Sequence, residues 1–225
     1  TESIKGCLVL RNGVTNYGGY LPGVSDMDTL PLPDYSDFED DIKARLYREP
    51  SRLDISDSRG CPTHCYFCSE WQFWGKFRSK SGKRVYEEIT LLMDKFTQVK
   101  YFYFIGSLVN GSMESLEEFS DLVISHKLNI EWAGQAVIRP EMTLDFLKKL
   151  KRSGCVWLSY GIESGSQRVL ENMNKRFSLA VASKVLRETK EAGISTQANF
   201  MFGLPTETRE DFNQTLEFLK ENSMY

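Results

Sequence analysis

From residue 52 onward, apolar and polar positions alternate between two rhythms. Residues 53–56, 100–105, 130–137, 155–162 and 195–202 are short apolar-rich runs that read as strands, with 100–105 (Lys-Tyr-Phe-Tyr-Phe-Ile) as a buried one. Residues 85–96, 113–125, 143–152, 179–192 and 209–220 carry helical spacing. In the second of these, Leu116, Phe119, Leu122 and Val123 share one face, and Gly193 closes the fourth. The order is five β-then-α units joined by short connections, which predicts a parallel sheet with helices outside it. Each unit takes about 35 residues, close to one eighth of a roughly 250-residue (β/α)8 barrel. No sixth strand follows before Tyr225, and the open edge of the fifth needs a cover.

The first fifty residues follow another pattern. Residues 4–20 read as a hairpin: Cys7-Leu8-Val9-Leu10 is apolar and Asn12-Gly13 is a turn signal. Residues 21–50 read as a linker, because Pro31 and Pro33 disfavour helix and sheet interiors and the acids Asp37, Glu39, Asp40 and Asp41 follow. The expected division is therefore 1–50, hairpin and linker, and 51–225, a partial barrel.

Composition narrows the function classes. Hydrophobic residues at 41% supply a core, and a net charge of −3 argues against a broad nucleic-acid footprint. No apolar run approaches a membrane span, and Thr1-Glu2-Ser3-Ile4-Lys5 lacks a signal-peptide layout. The missing initial methionine hints at an excised fragment. Five cysteines, three of them crowded together, make a poor disulfide framework and fit a reducing, cytoplasmic setting.

The crowded three are Cys61, Cys65 and Cys68, spaced C-x3-C-x2-C with Phe67 before the last. Thiolates hold Fe–S clusters, normally one per iron. Three close thiolates therefore suggest a four-iron cluster with one iron open for chemistry. A structural zinc on Cys61, His64, Cys65 and Cys68 is the alternative; it requires closure within one eight-residue loop. The loop follows the first strand, on the sheet edge where such folds place active sites.

This motif in this setting resembles the radical S-adenosylmethionine (SAM) superfamily, whose fold is a partial (β/α)6 barrel; the chain looks like that barrel cut after about five units. The resemblance implies a [4Fe–4S] cluster on Cys61, Cys65 and Cys68, with SAM chelating the open iron and Phe67 against the adenine. The segment after the second strand, Ile105-Gly106-Ser107-Leu108-Val109-Asn110-Gly111, lacks the carboxylate that receives the SAM amino group in that family. Carbonyls near Gly106, or the side chains of Ser107 and Asn110, would replace it. Gln135 and Arg139 fall near the end of the third strand. Tyr160-Gly161-Ile162-Glu163-Ser164-Gly165-Ser166 resembles the segment that contacts ribose and methionine, with Glu163 as the hydroxyl acceptor and Ser164 beside it. The segment 199–208 resembles the family's last glycine motif, Gly203 letting backbone approach the adenine.

Four further stretches (69–76, 132–135, 161–167 and 171–175) and the Leu-Pro-Leu-Pro-Asp-Tyr segment resemble the subgroup that carries an upstream cobalamin-binding domain. The resemblance implies reductive SAM cleavage to a 5′-deoxyadenosyl radical and hydrogen abstraction from a small-molecule substrate. It adds cobalamin and methyl transfer to an unactivated carbon in the full-length parent, and an electron donor such as flavodoxin or ferredoxin. The alternatives are a radical SAM methylthiotransferase acting on tRNA or protein, and a non-enzymatic metal-stabilised interaction module.

Overall fold

The structure is a computed structural model that describes residues 4–46 and 52–223. Its elements in chain order are strands β1 (Leu8–Arg11) and β2 (Val14–Tyr17), helix α1 (Glu39–Leu46), strands β3 (Arg52–Ile55) and β4 (Ser58–Arg59), and helix α2 (Glu70–Trp74). Then follow β5 (Arg78–Ser79), α3 (Gly82–Lys95), β6 (Tyr101–Phe104), α4 (Met113–Ser125), β7 (Glu131–Ala136) and α5 (Leu144–Arg152). The chain continues with β8 (Cys155–Glu163), α6 (Gln167–Asn172), α7 (Leu179–Glu191), β9 (Ser195–Phe200) and α8 (Arg209–Asn222). No helix among the described residues is long and apolar enough to cross a membrane.

Five strands form one parallel sheet in the order β3-β6-β7-β8-β9, each beside its successor in sequence. This is the expected partial barrel, and β3 and β9 each have a strand neighbour on one side only among the described residues. The helices start where the sequence offers a cap. Ser81, Ser112, Thr143, Ser178 and Thr208 each accept, through the side-chain oxygen, a backbone N–H three residues on. That satisfies one of the first-turn donors that a helix leaves orphaned. Thr208 and Asp211 form a reciprocal capping box.

Side chains on a strand alternate between faces. Phe102, Trp132, Leu158, Tyr160 and Ile162 are fully buried in the core that packs the sheet against the helices. Phe104 and Phe119 meet the Trp132 ring at 5.3 and 6.0 Å. The other face is more open. Tyr101 and Tyr103 are only partly buried, so the run at 100–105 is buried on one side rather than both. The inner face of an incomplete barrel is the reason.

The N-terminal hairpin is present, with Asn12 and Gly13 at φ of 51° and 75°. Two consecutive left-handed residues match the twist of paired strands. The expected linker is more structured than its prolines suggest. Pro31 and Pro33 lie ahead of α1, and Glu39, Asp40 and Asp41 occupy its first turn, where the helix dipole favours acids. The stretch is also tied down: Arg84 donates to Leu30 O at 2.7 Å, the Ser81 N–H to Asp28 at 2.8 Å, and Tyr35 meets Phe96 edge-on. Residues 47–50 of the expected linker lie outside the described residues.

Candidate functional site

The C-terminal ends of the parallel strands and the cysteine loop enclose a cavity of about 330 Å³. Alternation along β8 explains its wall. Ser159, Gly161 and Glu163 reach the cavity, while Leu158, Tyr160 and Ile162 face the helices. Register adds the neighbours: Gln135 pairs with Ser159, and Asn199 with Gly161. Asn199 Nδ2 donates to Ser159 Oγ at 2.9 Å.

The cysteine loop supplies the opposite wall. Cys61 and Cys65 are buried and Cys68 half-buried, all as free thiols. The Thr63 hydroxyl lies 2.9 Å from Cys61 Sγ and 3.8 Å from Cys65 Sγ. Burial pushes the Cys61 thiol up, Thr63 opposes this, and the nearby Cys65 and Cys68 add to the rise. The loop is clamped from the far end of α6: the Tyr66 N–H donates to Met173 O at 3.1 Å and Asn174 Nδ2 to His64 O at 2.7 Å. Trp71 Nε1 donates to Cys65 O at 3.1 Å, and the exposed His64 ring packs edge-on against Trp71 at 5.3 Å. Among the described residues, no three His, Cys, Asp or Glu side chains converge as ligands of a single ion would.

Three charged side chains line the cavity. Lys175 Nζ donates to Gly161 O at 2.9 Å, sits 3.2 Å from Glu163 Oε1, and lies 5.8 Å from the centre of the Phe67 ring. Glu163 ends β8 at a register shift and has φ of 73°. A non-glycine residue held there costs about 1–3 kcal/mol, the kind of strain that collects at ligand sites. Glu70, at the start of α2, accepts the Ser107 hydroxyl through Oε2 at 2.6 Å. Behind Ser107, the Gly106 N–H donates to Asp57 Oδ1 at 3.2 Å. A Cβ at residue 106 would come within 2.3 Å of both Asp57 Oδ1 and Ser58 Oγ, so the turn requires glycine. Burial pushes the Asp57 carboxyl up to about 6.

Of the residues singled out from sequence, Cys61, Cys65, Cys68, Phe67, Gly106, Ser107, Gln135 and Glu163 meet at this cavity. Asn110, Ser164 and Gly203 do not line it. Asn110 is fully buried and uses both ends of its amide on Val137, donating to O at 2.8 Å and accepting from N at 2.9 Å. Ser164 is buried against Thr215 at 3.2 Å. Gly203 follows β9 at φ of 80°, its N–H donating to Glu207. Arg139 donates to Gly111 O at 3.3 Å. Sequence reasoning missed Glu70, Ser159, Lys175 and Asn199, which also line it. Glu70 had a signal, lying two residues past the last cysteine; Lys175 reaches the cavity only through the turn after α6.

A model of the radical SAM superfamily matches residues 55–219. The chain is 28% identical over 224 residues to an uncharacterized methyltransferase of Pyrococcus horikoshii, covering 98% of this chain and 48% of the relative. It is 31% identical over 220 residues to the anaerobic magnesium-protoporphyrin IX monomethyl ester cyclase of Cereibacter sphaeroides, covering 95% and 35%. The chain thus spans about half or less of the curated relatives' length. In fold it is similar to the cobalamin-dependent SAM radical enzyme OxsB with aqua-cobalamin bound, at a TM-score of 0.78 and 18% identity over 97% of this chain and 32% of that one. The radical SAM methyltransferase TsrM from Kitasatospora setae, with cobalamin and a [4Fe-4S] cluster bound, gives 0.70 and 18% over 80% and 36%.

Proposed function

The chain belongs to the radical SAM superfamily, and from that premise we propose that its cavity joins a [4Fe–4S] cluster on Cys61, Cys65 and Cys68 to a bound SAM. One observation carries the reading: three free thiols of one loop face a cavity at the C-terminal edge of a parallel sheet. The donor set fits the cluster, since three thiolates leave one of four irons uncovered. The cavity volume falls within the roughly 300–1,000 Å³ of small-molecule sites. When bound, the cluster and SAM supply one-electron carbon–sulfur cleavage and hydrogen abstraction.

The chain's own residues hold and shield. Thr63 orients two of the thiols, and Met173 and Asn174 fix the loop that carries them. Phe67 offers an aromatic surface to the adenine. Glu163, kept in place by Lys175, accepts from ribose hydroxyls, and Gln135, Ser159 and Asn199 are further polar partners.

For the whole protein we assign radical chemistry on a small organic substrate, with cobalamin-dependent methyl transfer as its outcome and a flavodoxin or ferredoxin as electron source in the cytoplasm. Relatives named as methyltransferase and cyclase support this, matching 98% and 95% of the chain.

Anaerobic reconstitution tests the site. About four irons with matching labile sulfide per chain are expected. Cys61→Ala, Cys65→Ala or Cys68→Ala should each abolish the intact cluster, and Cys7→Ala and Cys155→Ala should spare it. SAM should alter the electron paramagnetic resonance spectrum of the reduced cluster. Stoichiometric zinc without sulfide overturns the reading; a full-length protein that retains no cobalamin overturns the methyl-transfer part alone.

A further inference from the structure

Among the charged side chains of the cavity, Glu163 and Lys175 pair with each other, and Glu70 has no counter-ion among the described residues. Its Oε2 is fixed by the Ser107 hydroxyl at 2.6 Å. Its Oε1 has no protein partner among the described residues. Ser107 belongs to the turn after β6, and Glu70 opens the helix after the cysteine loop. The bond therefore holds a carboxylate between the thiols and the mouth of the second strand. The turn itself, residues 105–111, has no acid. Asn110, its one amide side chain, is spent on the Val137 backbone, and the Ser107 hydroxyl is donated to Glu70.

A carboxylate that is oriented, half-buried and uncompensated suits a ligand that brings N–H donors and positive charge. The SAM amino group is such a donor; its sulfonium has no hydrogen to offer. We propose that Glu70, steered by Ser107, receives the amino group of SAM, so that the helix after the cysteines supplies the acid the β6 turn lacks. The inference rests on the reading of the cavity as a SAM site.

Glu70→Gln tests it. Glutamine keeps the side-chain size and an acceptor for Ser107 while removing the charge. On the anaerobically reconstituted chain, SAM affinity should fall about tenfold or more. Iron and sulfide content should not change. Affinity for 5′-methylthioadenosine, which lacks the amino acid portion, should also be unchanged. Equal SAM affinity in the two proteins overturns the role of Glu70 and leaves the SAM site standing. An equal loss for both ligands makes Glu70 a structural prop and overturns the inference as well. Failure of the unsubstituted chain to bind SAM removes the premise and the inference together.

Discussion

On the outer face of the sheet, Phe102, Trp132, Leu158, Tyr160 and Ile162 are fully buried against helices. On the inner face, β7, β8 and β9 present Gln135, Ser159, Glu163 and Asn199 to a cavity. The two sets interleave along β8 at one-residue spacing: Leu158 faces the core, Ser159 the cavity, Tyr160 the core. Core packing and cavity lining are therefore separated by parity along the strand rather than by distance from the cysteines. A substitution's effect should follow the face it lies on.

The largest effect should come from the outer face. Trp132→Ala removes a ring packed against Phe104 and Phe119 and the hydrogen bond from its Nε1 to Ser153 O at 3.0 Å. It should cost about 3–5 kcal/mol in denaturant unfolding. An intermediate effect is expected at the strained end of β8. Glu163→Gln leaves the largely buried Lys175 without its counter-charge and should cost about 1–3 kcal/mol. Adding Lys175→Met should recover part of that loss, and additive costs in the double-mutant cycle would deny the pair its role. The smallest effect belongs to Asn199→Ala, which gives up one inner-face hydrogen bond and should cost about 0.5–1.5 kcal/mol. If Asn199→Ala destabilised the chain as much as Trp132→Ala, the separation by face would collapse.

Much of the scaffold was readable because local and long-range signals agree. Residues 113–125 form a helix with the expected ends: Ser112 caps it, and Leu116, Phe119 and Val123 repeat at the spacing of one buried face. The five strands were likewise short apolar runs between turn signals. Helices α2 and α6 escaped notice because five or six residues are too few to show a period. Helix α1 was hidden behind two prolines that lie outside it. In the site, the three cysteines are a local pattern and needed no fold to be seen. Lys175 is the opposite case, brought in by tertiary structure alone. Asn110 shows the converse error: a polar side chain in the right turn whose hydrogen bonds the Val137 backbone had already taken.

The clamp on the cysteine loop carries a further consequence, in the order of events. Asn174 and the His64 carbonyl it binds are 110 positions apart. Drawing together the ends of so long a flexible segment costs about 4 kcal/mol of chain entropy, from (3/2)RT ln n. One hydrogen bond of this kind returns roughly 0.5–1.5 kcal/mol. The contact therefore cannot form first: it waits until β6, β7 and β8 have joined β3 and brought the ends together. Translation, too, delivers the three thiols long before the asparagine that helps shape their loop. The loop's conformation is a late product of folding, so the three thiols have different surroundings on the nascent and on the folded chain.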